Sequence, residues 1–224
     1  MNSYFYCFLF LIFCKISAAQ QNPNVIFILA DDMGYGDVSC LNSNSKISTP
    51  NIDKLAREGK TFIDAHSPAS LCTPTRYAIL TGRYGWRSSL KKGVLKHYDP
   101  PLIEEGRFTI GQLFKENNYN TACIGKWHLG WEWSLNNNSF FSDSLKVGND
   151  APADRFRIEK LVDFSKPITN GPISKGFDYY FGDDVPNYPP YVFIENDKTL
   201  GLPILHKPDN MYGHPGFMIK DWKL

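Results

Sequence analysis

Cysteine is scarce in this chain, with five in 224 residues. Cys7 and Cys14 lie within the first 19 residues, so the rest of the chain carries only Cys40, Cys72 and Cys123. A scaffold held together by disulfides needs a dense and even set of cysteines. The count therefore excludes a disulfide framework as the organising principle of this protein.

An excess of charge of one sign is also missing. The chain has 24 Lys and Arg against 23 Asp and Glu, a formal net charge of +1. Without residues 1–19 the balance is zero, because Lys15 is the one charged residue of that segment. Proteins that bind nucleic acid or an anionic membrane surface use clustered positive charge. We expect neither kind of partner here.

Apolar runs long enough to cross a membrane are lacking too. The most apolar stretch, residues 4–14, is shorter than the roughly 20 residues that a spanning helix needs. Small residues at 17–19 follow it, as at the cleavage site of a secretory signal peptide. We predict a signal peptide over residues 1–19 and an exported chain over 20–224, without stable membrane insertion. Its destination is the periplasm or the extracellular space, or the lysosome of a eukaryotic host.

Apolar runs that end in polar residues do recur along the first 130 residues. The run NVIFILA over residues 24–30 is unbroken, which is typical of a strand buried on both faces of a parallel sheet. Shorter runs at 61–65 and 121–124 indicate further strands. Functional loops of α/β proteins lie at the carboxyl ends of such strands. The polar residues after each run are therefore candidate site residues.

Helix signals alternate with these strands. A Thr-Pro start and a following Gly predict a helix over residues 49–57, and Gly82 ends a helix predicted over 74–81. Thr109 and Gln112 have the spacing of a capping box that opens a third helix. The alternation predicts an α/β fold with a mostly parallel sheet flanked by helices.

The most informative stretch is CTPTR over residues 72–76, followed by LTGR over 80–83. Cys72 lies immediately before the start of the second predicted helix. The free amide hydrogens and the dipole at a helix N-terminus favour an anion. The sequence therefore predicts that this cysteine faces an anionic group.

An acidic pair, Asp31 and Asp32, ends the apolar run of residues 24–30. Two adjacent carboxylates, followed by glycines that allow a tight bend, suit a hard cation such as Ca²⁺ or Mg²⁺. A solvent-exposed acidic turn would have the same two residues.

The segment GKWHLG over residues 125–130 follows the apolar run that ends at residue 124. Lys126 and His128 are two residues apart, so in an extended segment their side chains point to the same side. A lysine neutralises an anionic oxygen, and a histidine exchanges a proton near neutral pH. Taken alone, such a pair is equally typical of a solvent-exposed loop.

Together these three stretches resemble the formylglycine-dependent sulfatases, and the resemblance covers roughly residues 24–224. It implies the alkaline-phosphatase-like α/β fold and the arylsulfatase A-like group. It also implies hydrolysis of sulfate monoesters, on a small molecule or a glycan. A maturation enzyme would oxidise Cys72 to formylglycine. The hydrate of that aldehyde carries two hydroxyls, one to attack sulfur and the other to expel sulfate.

The resemblance also implies a role for each site residue. The metal, Ca²⁺ with Mg²⁺ as the alternative, would be held by Asp31, Asp32 and the modified Cys72. Arg76 would hold the formylglycine hydrate, and Lys126 and His128 would contact the sulfate group.

The chain departs from the family pattern in its later half. Sulfatases are usually about twice this length, and their other metal ligands lie in an Asp-Asn element there. Asp209-Asn210 lacks the following Gly and the preceding strand of that element, and Asp183-Asp184 does not fit it either. We therefore expect the chain to correspond to the amino-terminal portion of a sulfatase.

Two alternatives stay open. In the first, the chain is a non-catalytic, truncated sulfatase-like protein. In the second, it is a hydrolase of the same superfamily that cleaves phosphonate monoesters or phosphodiesters. The sequence does not identify the ester. Trp86, Trp131, Trp133 and Tyr191 have the chemistry to stack on a sugar or an aryl ring, but ordinary packing explains each equally well.

Overall fold

The computed structural model describes residues 22–136, 158–220 and 222. The chain forms two units, Met1–Thr61 and Phe62–Leu224. The predicted signal peptide lies outside the described residues. Within the described ranges, no helix combines the length and the apolar character needed to cross a membrane.

Between residues 22 and 61, the first unit has an α-helix, α1, over Pro50–Glu58, and a 3-10 turn over Tyr35–Asp37. The helix begins and ends as the sequence predicted, with Pro50 at its start and Gly59 directly after it. The Asp53 carboxylate ties the first turn to the preceding loop, because it accepts hydrogen bonds from the hydroxyls of Ser39 (2.7 Å) and Thr49 (2.9 Å). These bonds, Ser39 first, lower the pKa of Asp53.

The apolar run of residues 24–30 does not form the predicted strand. It has no regular secondary structure, and Ile26 and Ile28 are 85% and 80% exposed. The prediction of a buried strand here is wrong. A strand is completed by hydrogen bonds to a neighbouring strand, and a local apolar pattern does not supply that neighbour.

The described part of the second unit includes the α-helices α2, over Cys72–Thr81, and α3, over Ile110–Glu116. It also has 3-10 turns over Gly85–Arg87 and Pro172–Lys175. The capping box of α3 is confirmed: Thr109 N–H donates to Gln112 Oε1 (2.9 Å), and Gln112 N–H donates to Thr109 Oγ1 (3.3 Å).

A mixed sheet of four short strands lies in the same unit. Its strands, in spatial order, are β1 Ala122–Ile124, β2 Tyr179–Gly182, β3 Ile194–Glu195 and β4 Lys198–Thr199. The β1–β2 pair is parallel and the other two pairs are antiparallel. A separate antiparallel pair joins β5, Leu205–His206, to β6, Phe217–Met218. The strand predicted at 121–124 is confirmed, whereas residues 61–65 form no strand.

The core of the second unit is unusually aromatic. Tyr77 of α2, Tyr98, Tyr180 of β2 and the indoles of Trp131 and Trp133 are all at most 1% exposed. They belong to one apolar cluster. This cluster therefore packs the signature helix, the segment after the GKWHLG motif and the sheet against one another.

Candidate active site

The signature cysteine occupies the first residue of helix α2. Leu71 is the N-cap, and the first backbone bond of the helix joins Thr75 N–H to Leu71 O (3.2 Å). Gly82 ends the helix in the left-handed conformation at φ +64°. Cys72 is a half-buried free thiol, and the helix begins two residues earlier than predicted. It thus lies at the positive end of the helix dipole, where an anion is favoured.

Two side chains of α2 join the signature to the GKWHLG loop. The hydroxyl of Thr73, which is fully buried, donates to the His128 carbonyl (3.2 Å) and accepts from Leu95 N–H (3.2 Å). Nη1 of Arg76 donates to the Lys126 carbonyl at 2.6 Å. The structure therefore brings together four of the predicted catalytic positions, Cys72, Arg76, Lys126 and His128, on one hydrogen-bonded framework.

The other side of the loop is held by the strand that pairs with it. Beyond the parallel β1–β2 pair the backbone ladder continues, from Gly125 N–H to Phe181 O (2.8 Å) and from Trp127 N–H to Asp183 O (3.0 Å). Gly182 is required at this crossing, because a Cβ there would collide with the Gly125 carbonyl. The expectation that the Lys–His motif lies at the carboxyl end of a parallel strand is confirmed.

His128 is turned into the protein rather than toward solvent. It is 2% exposed, and its Nε2 lies 2.9 Å from the Leu95 carbonyl oxygen. A carbonyl oxygen only accepts, so Nε2 carries the hydrogen in this bond. Because His128 has φ +53° and Gly125 has φ +98°, the segment is not extended. The argument that Lys126 and His128 alternate to one side therefore does not apply.

Asp184 is a residue of this region that the sequence did not reveal. Its backbone carbonyl and its Oδ1 both accept from His128 N–H, at 3.0 and 3.2 Å. Burial, and then the neighbouring charge of Asp183, raise the pKa of Asp184 to about 7. The pairing joins residues 56 apart in the chain, so no local pattern announced it.

The predicted metal ligands fall in different units. Asp31 and Asp32 are exposed residues of the first unit, and Asp32 has φ +56°, whereas Cys72 belongs to the second. In the described parts of the chain, no group of three or more His, Cys, Asp or Glu side chains is gathered as a metal site would require. The metal set of Asp31, Asp32 and Cys72 stays a prediction.

The structure also describes the two remaining cysteines and the four aromatic residues considered for stacking. Cys40 and Cys123 are free thiols, and burial raises the pKa of Cys123 to about 11. Trp131, Trp133 and Tyr191 are each 1% exposed and serve as packing, whereas Trp86 is 62% exposed.

Comparison with known proteins decides the family. The model of the Sulfatase family matches residues 23–212. The chain belongs to the sulfatase family. This sulfatase chain is 36% identical over 184 residues to N-acetylgalactosamine-6-O-sulfatase of Bacteroides thetaiotaomicron, covering 82% of this chain and 31% of that protein. It is also 42% identical over 113 residues to human arylsulfatase A, covering 50% of this chain and 22% of that protein.

Solved structures give the same fold. A structure from work on the metabolism of multiple glycosaminoglycans by Bacteroides thetaiotaomicron is 34% identical with a TM-score of 0.65, covering 82% of this sulfatase chain and 33% of the other. Ps i-CgsB in complex with k-i-k-neocarrahexaose is 28% identical with a TM-score of 0.56, covering 80% and 37%. The alkaline-phosphatase-like α/β fold is therefore confirmed. The sulfatase chain spans about a third of the length of the first relative.

Proposed function

We propose that this protein hydrolyses sulfate monoesters with a formylglycine made from Cys72. The observation that carries the proposal is the pair of hydrogen bonds that tie helix α2 to the GKWHLG loop, through Thr73 and Arg76. They join helix α2, which carries Cys72 and Arg76, to the backbone of Lys126 and His128. The names of the relatives, all sulfatases or arylsulfatases, support the same reaction.

The reacting sulfate is an anion, and the site is built for one. The first turn of α2 offers amide hydrogens and the positive end of its dipole beside Cys72. The guanidinium of Arg76 has a planar geometry that suits oxyanion recognition, and Lys126 adds a second cation. Both residues stabilise negative charge as it develops on the sulfate oxygens.

His128 is assigned the proton transfers. Its Nε2–H donates to the Leu95 carbonyl, which fixes the ring, and an imidazole exchanges a proton near neutral pH. The bond of Thr73 to the His128 carbonyl holds the backbone of the same residue. A fixed imidazole next to the reacting group is what general acid–base catalysis requires.

Formylglycine, once formed by an oxidising maturation enzyme, supplies a geminal diol as the nucleophile and a route for releasing sulfate without a second attack by water. A divalent cation, Ca²⁺ or Mg²⁺, is the second group that we assign to the family site. The carboxylates of Asp31 and Asp32 are hard oxygen donors of the required kind. The described residues gather no group of three donors, so the ligand set is incomplete and no step is derived through the metal.

The substrate class that we assign is a sulfated sugar. The names of one relative and one structural neighbour refer to a sulfated amino sugar and to an oligosaccharide, respectively. We also assign the protein to an exported compartment, on the strength of the apolar segment 4–14 and the small residues after it.

The test is a mass measurement on the natively exported protein. We expect the peptide that contains Cys72 to be about 18 Da lighter than its sequence, because H₂S is lost and O is gained. Cys72→Ala should lower the hydrolysis of an aryl sulfate by about 10³-fold or more, since it removes the nucleophile. Cys40→Ser is the matched control, because Cys40 is an exposed thiol of the first unit.

Two outcomes would contradict the proposal. An unmodified Cys72 in a protein without esterase activity would identify a non-catalytic relative. Faster hydrolysis of a phosphonate monoester or a phosphodiester than of the matching sulfate would assign the protein to the other branch of the superfamily.

A further inference from the structure

Tyr188 is the centre of a cluster of basic groups beside His128. Its ring centroid lies 4.5 Å from that of His214, 5.6 Å from that of His97 and 6.5 Å from that of His128. The Nζ of Lys96 lies over the same ring, 5.8 Å from its centroid. All five residues belong to the second unit. Three imidazoles and an ammonium thus surround a single aromatic ring.

The cluster lies in a positive field. The pKa of His214 is lowered, by burial first and then by the positive charges of Lys96 and Lys207. Lys207 is fixed there, because its Nζ donates to the carbonyls of Pro208 (2.9 Å) and Met211 (2.6 Å). An anion placed beside His214 would therefore meet two lysine charges as well as the imidazole.

The nearby carboxylates accept hydrogen bonds from neighbouring protein groups. Asp99 accepts from the backbone N–H of Lys96 at 2.7 Å, and Glu159 accepts from the Tyr98 hydroxyl (2.9 Å) and the backbone N–H of Phe217 (2.6 Å). Both acids are 2% exposed. Lys96, in contrast, is half-buried and His214 is exposed.

The cluster is held in place by the backbone around it. His214 N–H donates to the Asn187 carbonyl at 3.0 Å. The Tyr191 hydroxyl donates to the carbonyls of Asn187 (3.1 Å) and His214 (2.6 Å), which locks the two segments together. Because these bonds already fix the geometry, a ligand would lose little affinity to ordering the site.

Solvent exposure of the side chains decreases from His214 to His128. His214 is exposed, Tyr188 and Lys96 are half-buried, and His128 is buried. The basic groups therefore form a path from the surface to the residue that we assign to proton transfer.

We propose that Lys96, Tyr188 and His214 form a subsite that binds a second oxyanion of the substrate, a sulfate ester or a carboxylate on the sugar, beside the reacting sulfate. This inference rests on the proposed function, since it assumes that the reacting group lies near His128. A charged hydrogen bond from the Lys96 ammonium and a hydrogen bond from the His214 imidazole would hold the oxyanion. The ring of Tyr188 keeps the Lys96 ammonium in position by a cation–π contact and packs against the His214 ring.

Binding to the full-length protein tests the proposal without requiring turnover. The probes are a disulfated disaccharide, its monosulfated form and a monosulfated disaccharide with a uronate carboxylate, titrated by calorimetry. We expect Lys96→Gln and His214→Gln each to weaken the dianionic probes about tenfold, the size of a lost charged hydrogen bond, and to leave the monosulfated probe unchanged. Lys198→Gln, an exposed lysine of β4, is the matched control.

The two dianionic probes identify whether sulfate or carboxylate occupies the subsite, and preference for either supports it. Equal binding of all three probes by wild type and variants would overturn the subsite. Inorganic phosphate bound as tightly as the disulfated sugar would overturn it too, since the site would then recognise a free anion. An unmodified Cys72 would overturn the proposed function, whereas the binding difference between Lys96→Gln and Lys198→Gln would be unaffected.

Discussion

At the residue scale, Asp184 shows how a tertiary contact creates chemistry that the sequence does not display. The notable property is not the residue type but its enclosure, which raises its pKa to about 7. Its Oδ1 accepts from the backbone N–H of His128, so a change in its charge acts on the residue that we assign to proton transfer.

This environment predicts how stability depends on pH. The folded pKa of Asp184 lies above the unfolded value of about 4, so between pH 4 and 7 the unfolded chain has lost a proton that the folded chain retains. The contribution of Asp184 to the free energy of unfolding therefore falls as pH rises through this window and levels off above pH 7. Asp184→Asn keeps an acceptor and removes the titration. We expect it to gain on the order of 2–4 kcal/mol relative to wild type between pH 4 and 7.

Urea unfolding at pH 4, 5.5 and 7 checks this expectation. Asp209→Asn, an exposed carboxylate of the same unit, is the control and should follow the wild-type curve. A constant difference between Asp184→Asn and wild type at all three pH values would show that Asp184 does not titrate in this window.

At the element scale, the predicted helices are confirmed, whereas of the three predicted strands only the one at 121–124 is. A few adjacent residues predict where α1 and α3 begin and which glycines follow α1 and α2. All four predictions are confirmed. The apolar run at 24–30 has a stronger strand pattern than β1, yet only β1 finds a partner, in β2. The difference is that a helix closes its hydrogen bonds within itself, whereas a strand depends on a distant segment.

The capping box of α3 provides a test at this scale. Thr109 Oγ1 accepts from Gln112 N–H and also donates to the Lys175 carbonyl, and the residue is 2% exposed. Thr109→Ala removes both bonds and should lower the free energy of unfolding by about 1–2 kcal/mol. Thr109→Ser retains the hydroxyl and should recover most of that loss. Equal stability of the alanine and serine variants in urea unfolding would mean that the cap contributes nothing.

At the scale of the whole molecule, one carboxylate links three segments of the second unit. Asp178, just before β2, lies 2.7 Å from Lys115 Nζ of α3, and its Oδ2 accepts from the N–H and the hydroxyl of Thr121, both at 3.0 Å. The bond from Lys115, followed by those from Thr121, lowers the pKa of Asp178 to about 2. The helix, β1 and β2 are thus connected through a group that stays charged into strong acid.

Acid unfolding should report this link. Because the folded pKa lies below the unfolded value, the contribution of Asp178 is present above pH 4 and is lost as pH falls toward 2. Asp178→Asn should therefore be less stable than wild type at pH 5, and the two should converge at pH 2. Lys115→Gln should show a weaker form of the same behaviour, since Thr121 still binds the carboxylate. A gap between Asp178→Asn and wild type that persists at pH 2 would show that the link is not electrostatic. Circular dichroism during urea titration at each pH measures the difference.

The family, the helix boundaries and the residues proposed for the site all follow from short stretches of the sequence. The motifs at 72–76 and 125–130 named residues that the structure joins through Thr73 and Arg76. These features could be predicted because helix caps and motifs depend on residues a few positions apart.

The environment of those residues, in contrast, depends on tertiary contacts. These contacts bury His128 against the Leu95 carbonyl and place Asp184 beside the backbone of His128. They also bring basic groups together around Tyr188. The tertiary structure also leaves the run at 24–30 without a sheet partner. Desolvation, strand pairing and charge proximity all depend on atoms contributed by segments far apart in the chain, and a local pattern does not specify which segments will meet.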